Sequence, residues 1–454
     1  MRFSRRILVP ATAIVPTALA GVLTVSTMAP VTAEAQGLSS TSSLSSLSSG
    51  SSLSSKRGPA PAPQTNPWSK ISDGLDVKMI GDLLGNHQTP SGLGVVDLGI
   101  MVPLVNKDFA VIFGDSFTGN RFGTGDWLSP VGLVAQMDEN GRIKFTRPLN
   151  DDEHVDQLID YKHNDMLTLI PSDVINLDGT LYMQGMWNKG IGNVQETQIW
   201  KSTDLGASWT SVGRTSNRYM SGMGNLISWE KGPDGYIYVV SSDFRRDSPV
   251  YLSRFREEQM ANRAAWEQYN PKTGGWGHDR TPILSTNVRA GEMSLRRIED
   301  HWVLAMFNEQ TRSIEVRISE TIARDWNSIK PARVVVAGDK GWGGKQNENN
   351  FTQLYGGYIV PGSTLDNMDL VVSQWNTATN SRYMSTQFNV KGLDTFFGIN
   401  PKDTATFRSA PAPTGNQDSI EVDASDVTDE TMERLGEEQA MEQAADVTLT
   451  PVDQ

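Results

Sequence analysis

Five short runs in which β-branched or aromatic residues alternate with polar or small ones recur between residues 75 and 400. They are FAVIFGDSF after Asp108, TLYMQGMWN after Gly179, YIYVVSSDF after Gly235, WVLAMFNE after His301 and LVVSQWN after Asp369. Each begins at a turn and ends on a polar or acidic residue, and an alternation of period two marks a strand rather than a helix. The runs start 71, 56, 66 and 68 residues apart, a spacing that suits propeller blades. The pattern predicts an all-β chain, a five-bladed β-propeller of four-stranded antiparallel blades in which each run is a second strand. The stretches GVVDLGIMV, SDVINLDGT, GNLISWEKGPDG, GEMSLRRIED and TQLYGGYIVPG precede the runs and supply the innermost strands. GLVAQM, TQIWKSTD, VYLSRF and IEVRISE follow as third strands.

One local motif supports this reading. Ser202 to Trp209 matches S-x-D-x-G-x-x-W, the Asp-box turn between outer strands of sialidase-type propellers. Its Asp204 is expected to satisfy turn amides, a structural rather than a catalytic task.

Outside the repeats the patterning fails. Arg2, Arg5 and Arg6 precede an apolar stretch from Ile7 to Met28 and an Ala33-Glu34-Ala35 site, the order of a secretory signal peptide. Residues 36–74 are rich in Ser and then Pro and read as a linker. Residues 409–454 are acidic and poor in aromatics and read as a disordered tail, which leaves 75–408 for the propeller. Export to a cell surface or envelope space is expected, with no stable membrane insertion once the leader is cleaved; a retained membrane anchor is the alternative and leaves the rest of the chain outside as well.

Charge sharpens the choice of partner. The net charge is −13, but residues 411–454 hold twelve acids and one base, and the leader is net +2, leaving −4 for residues 36–410. A nearly neutral folded part lacks the basic field that draws nucleic acid. An uncharged glycan fits better, and the chain is expected to act as a monomer. There are no cysteines, so disulfides and thiolate chemistry are excluded. The five histidines show no metal-ligand spacing, and no phosphate loop or G-x-S-x-G occurs. Neither a cofactor nor a metal is expected. The dense cluster His154, Asp156, Asp160, His163 and Asp165 reads as a solvated loop.

Polar residues of the inner strands converge on one mouth of a propeller channel. The inner strands offer Asp97, Asp173, Asn225, Glu292 and Gln353 with Tyr355, and the second strands end in Asp115, Asn188, Asp243, Asn308 with Glu309, and Gln374 with Asn376. Asp97 and Asp115 are symmetric about Asn106, so pairing around that turn would make them cross-strand neighbours at roughly 4.5–5.5 Å between Cβ atoms. Two carboxylates that close cannot both ionise easily, and a split pair serves acid/base cleavage of a glycosidic bond. Asp97, Asp115 and Glu292 are therefore the candidate catalytic residues. Turn stabilisation beside Gly99 and Gly114, and for Glu292 a salt bridge to Arg296 or Arg297, are the alternatives. Trp127, Asp173, Asn188, Asp243, Arg245, Asn308 and Gln374 are candidate substrate contacts. Trp187, Trp276, Trp342 and Trp375 could add sugar-stacking platforms.

Val96-Asp97-Leu98-Gly99, Phe113-Gly114-Asp115-Ser116-Phe117, Gly291-Glu292-Met293-Ser294 and LYGGYIVPGS followed by VSQWN carry a family likeness across residues 90–376. In them the chain resembles actinobacterial envelope endo-D-arabinanases, glycoside hydrolases formerly grouped as a domain of unknown function. The resemblance implies a five-bladed propeller acting on the D-arabinan of arabinogalactan or lipoarabinomannan, with Asp97 and Asp115 matching the first-blade aspartates. The motif here has Gly-Asp-Ser-Phe in place of Gly-Asp-Thr-Phe and keeps the hydroxyl. A hydrolase or transglycosylase on another furanoside, and a non-catalytic glycan-binding or scaffolding propeller, are the other functions the residues allow.

Overall fold

The computed structural model describes residues 67–84, 92–150, 153–190 and 192–399. The expected signal peptide, most of the linker and the acidic tail lie outside them.

Five antiparallel sheets form the five blades of a β-propeller. The innermost strands are Leu98–Pro103, Leu167–Leu177, Leu226–Lys231, Ala290–Ile298 and Leu354–Ile359, and each is followed by its predicted second strand. Each inner strand packs against the inner strands of the blades before and after it, and the fifth returns to the first. Blade 3 carries an extra outer strand, Gly275–Gly277.

Blade 5 is completed by two strands that the alternating runs did not mark. Asp76–Asp82 pairs antiparallel with Tyr383–Lys391 and becomes the outer strand of blade 5. Residues inside the expected linker also dock: Ser72 exchanges hydrogen bonds with the backbone of Arg333 on blade 4, and the Lys70 carbonyl accepts from the Arg333 side chain.

Blades are buried on both faces, so the apolar residues of the inner strands pack between neighbouring sheets. Leu98, Ile100, Met293, Leu295 and Tyr358 are all at most 2 % exposed. Burying each such side chain is worth about 1.5–3 kcal/mol, which accounts for stability without disulfides. The Asp-box behaves as expected: Asp204 accepts from the Ser208 amide at 2.9 Å and from the Ser202 hydroxyl at 2.7 Å, and Gly206 takes the left-handed turn position (φ 98°). Burial pushes the Asp204 carboxyl up, but the bonds from Ser208 and Ser202 together hold it below its usual range.

Candidate active site

The inner strands all run away from one mouth of the channel, so residues at their starts and at the ends of the second strands gather there. Asp97 immediately precedes the first inner strand, and Asp115 follows the second strand of blade 1. The expected pairing of these two is corrected by a bulge. Pro103 faces Phe109 and Ile100 faces Ile112, as symmetry about Asn106 requires, but the register slips at Gly99 so that Leu98 faces Phe113. The Gly114 amide consequently donates to the Asp97 carbonyl at 3.0 Å, placing Asp97 opposite Gly114 rather than Asp115. Gly99 is needed for the slip: its φ is +141°, and a Cβ there would sit 2.8 Å from Val371 on blade 5.

The two aspartates nevertheless sense each other, in unlike settings. The Asp97 Oδ1 is buried with no hydrogen-bond partner. Burial first, and then the Asp115 charge, push the Asp97 carboxyl up to about 7; the Glu292 charge adds to this, and the hydroxyls of Tyr355 and Tyr383 oppose it. Burial also leaves Asp115 raised, although its Oδ1 accepts from Thr168 Oγ1 and from the Trp127 indole N–H at 2.9 Å, and these donors and the nearby His163 oppose the shift. Donors of this kind favour the ionised form. Asp97 is therefore the less compensated of the two carboxyls, and Asp115 the one better supplied with hydrogen-bond donors.

Glu292 lies across the mouth on the fourth inner strand, 3 % exposed. Its partner is Arg246, which binds Oε1, whereas Arg296 serves Asp173 and Arg297 pairs with Asp300. That corrects both expected partners of Glu292. Its Oε2 is buried and unpartnered.

The remaining candidates separate into two groups. Asn188 and Asn225 are buried, and each leaves its side-chain oxygen without a partner. Together with Asp97 Oδ1 and Glu292 Oε2, these give each of the first four blades at least one unsatisfied acceptor near this mouth. Buried acceptors without donors are costly, and a ligand rich in hydroxyl donors would satisfy them.

The other polar candidates are already engaged within the protein. Asp173 receives both Arg296 Nη atoms at 2.9 and 3.0 Å, the Trp229 and Val174 amides and the Ser228 hydroxyl. Asn308 binds Asn287, Glu315, Arg289 and Gln310. Gln374 spans Gln346, Thr352 and Arg382. Asp243 is occupied by Arg245, whose own side chain is 66 % exposed at the rim.

Among the aromatics, Trp127 is covered on one face by His163 at 3.9 Å between ring centroids, and it serves Asp115 through its indole N–H. Phe122 stacks on Trp375 at 4.6 Å, and Tyr383 meets both edge-on. Trp187 packs against Tyr161 and Trp200, and Trp276 lies under Arg254 on blade 3. Trp342 donates to Gln353 at 3.0 Å.

Three residues beside the aspartates escaped sequence reading. His163 looked like part of a solvated loop, yet its ring bonds Gln157 and the Leu167 carbonyl and stacks on Trp127. Thr168 begins an inner strand of ordinary composition, and Tyr383 begins a third strand; neither carries a local signal. Among the described residues no cluster of three or more acidic or histidine side chains could hold a metal.

Residues 85–389 match the family described as Domain of unknown function (DUF4185). The chain belongs to this family. A 35.9 kDa uncharacterized protein of Mycolicibacterium smegmatis, from the asd 3' region, is 28 % identical over 321 residues, covering 63 % of this chain and 88 % of that protein. Notoamide biosynthesis cluster protein J' of Aspergillus versicolor is 24 % identical over 319 residues, covering 64 % and 83 %. In solved structures the fold is shared with a candidate hydrolase from Bacteroides ovatus ATCC 8483, at a TM-score of 0.50 and 12 % identity over 68 % of this chain and 89 % of that one.

Proposed function

We propose that the chain is a glycoside hydrolase that cleaves D-arabinan of the cell envelope, in arabinogalactan or lipoarabinomannan, in endo fashion. The observation that carries this reading is the inequality of the two carboxyls at the mouth, where burial and the Asp115 charge push Asp97 up to about 7 while Asp115 accepts from Thr168 and the Trp127 indole. Glycosidic cleavage needs one carboxyl group in each state. Asp97 donates its proton to the leaving glycosidic oxygen. Asp115 supplies the negative charge at the anomeric carbon, directly or through a water it deprotonates. Glu292 completes the acidic rim.

Substrate class is supported by the unsatisfied acceptors of Asp97, Asn188, Asn225 and Glu292, which suit sugar hydroxyls, and by the near neutrality of residues 36–410. The motifs around Asp97, Asp115 and Glu292 favour arabinan among glycans, and the leader-like residues 1–35 favour action outside the cytoplasm. Incubating the purified chain with arabinogalactan, with L-arabinan and galactan in parallel, tests this. Arabino-oligosaccharides from the first substrate alone are expected. Release from L-arabinan instead would redirect the substrate, and binding without release would favour a scaffolding propeller.

A further inference from the structure

We propose that Arg246 is a positioning residue of this site, orienting Glu292 and Tyr355 around Asp97 and supplying the positive charge that balances the acidic mouth. The proposal deepens the hydrolase reading and rests on it only for its activity arm.

Arg246 belongs to the loop after the second strand of blade 3. It takes a left-handed backbone (φ 58°), uncommon for a residue with a long side chain. The loop is pinned on both sides: Asp243 accepts from the Arg245 amide at 3.0 Å, and the Ser248 carbonyl accepts from the Ala290 amide at 2.8 Å. The second bond ties the loop to the start of the inner strand carrying Glu292, two residues on. Gly291 makes room between them, since a Cβ there would lie 3.3 Å from Arg246 Cγ and 2.7 Å from the Phe307 ring. The guanidinium then reaches Glu292 Oε1 and lies 4.9 Å from the centre of the Tyr355 ring and 5.5 Å from that of Phe307. One arginine thus fixes a carboxylate and a tyrosine that both act on Asp97.

The charged and titratable groups around Asp97 are known from every side. Asp115 comes from blade 1, Glu292 from blade 4, Tyr355 and Tyr383 from blade 5, and Arg246 from blade 3. Tyr358 lies deeper, and Glu309, Arg289 and Arg312 sit behind the Arg246–Glu292 pair. Burial opposes the Arg246 charge, but Glu292 outweighs it and keeps the guanidinium firmly ionised. That charge opposes those of Glu292 and Asp115 at Asp97. An opposite charge nearby favours the ionised form of a carboxyl.

The test is a carboxyl carbon-13 NMR titration of Asp97 in the full chain, with the resonance assigned by its loss in Asp97→Asn. Arg246→Gln is expected to move the Asp97 midpoint upward, and Arg246→Lys to recover most of that shift. Should Arg246→Gln fail to fold, Glu292→Gln gives the opposite test, lowering the midpoint because a negative charge is lost. A merely structural arginine would lower the melting temperature and leave the midpoint in place; an unmoved midpoint in folded Arg246→Gln or Glu292→Gln overturns the proposal. In the activity arm, the alkaline limb of the arabinan-cleavage profile shifts with the midpoint. Absence of cleavage by the wild type would count against the hydrolase alone, and the titration would still decide the role of Arg246.

Discussion

Asp97, just before the first inner strand, and Asp173, within the second, lie on adjacent blades, yet they meet opposite fates. Asp173, 1 % exposed, receives five hydrogen bonds, two of them from the Arg296 fork. It joins blades 2, 3 and 4 inside the channel. Asp97, at the upper mouth, keeps one oxygen empty and its proton to about pH 7. The difference lies in what faces each carboxyl. Asp173 meets a cation and donors that fix it as a charged strut, whereas Asp97 meets Asp115 and Glu292 as well as two phenols. A buried acid becomes reactive when its compensation is left incomplete, and structural when it is completed.

The largest effect expected from breaking this contrast is on stability. Asp173→Ala strands Arg296 in the channel and should cost about 3–5 kcal/mol, as removal of one partner of a buried pair does. Urea denaturation checks this, and a loss under about 1 kcal/mol would mean that Arg296 finds other acceptors.

Next comes a pH dependence carried by Asp97. Its folded-state carboxyl titrates above the ordinary 3.8, so the stability it contributes is complete below about pH 4 and is lost as pH rises through about 7, amounting to a few kcal/mol. Asp97→Asn should remove this slope and be the more stable protein at pH 8. Parallel unfolding curves for the two proteins between pH 4 and 8 would refute the burial argument.

A smaller effect is expected at Trp127. Trp127→Phe keeps the ring on His163 but deletes the donor to Asp115, so the Asp115 carboxyl should rise and turnover fall by roughly tenfold, the value of about one charge-assisted hydrogen bond. The acid limb of the rate profile should move upward with it. Smallest is Asp204→Ala in the Asp-box, expected to cost about 1 kcal/mol in the turn with turnover per folded molecule unchanged. Lost turnover there would mean that the outer turn communicates with the mouth.

The fold was legible because five alternating runs carry it, each needing only its own periodicity. Closure of blade 5 by Asp76–Asp82 was not, since that strand is assigned by a partner about three hundred residues away and its own sequence, DVKMIGD, is unremarkable. At the site, the strand-end positions of Asp97, Asp115 and Glu292 were enough to place them together at one mouth. Their partners did not show, because ion pairs such as Glu292 with Arg246 form between blades, and spacing along one strand pointed to Arg296 and Arg297 instead. Gly99 illustrates the limit. Its φ and its closeness to Val371 are tertiary facts, and they shift the register that symmetry about Asn106 predicts. Polarity at strand ends likewise could not separate an occupied amide such as Asn308 from an open one such as Asn188.

The central claim is that the two mouth aspartates cleave a glycosidic bond, and the most direct measurement pairs turnover with melting temperature for Asp97→Asn and Asp115→Asn on arabinogalactan. Each variant should melt no lower than the wild type within a few degrees while losing at least ~10²–10⁴-fold in turnover. The double variant should lose far less than the product of the two, as residues acting as a unit do. Folded variants that retain near-normal cleavage, or variants whose activity falls only in step with their stability, would contradict the account.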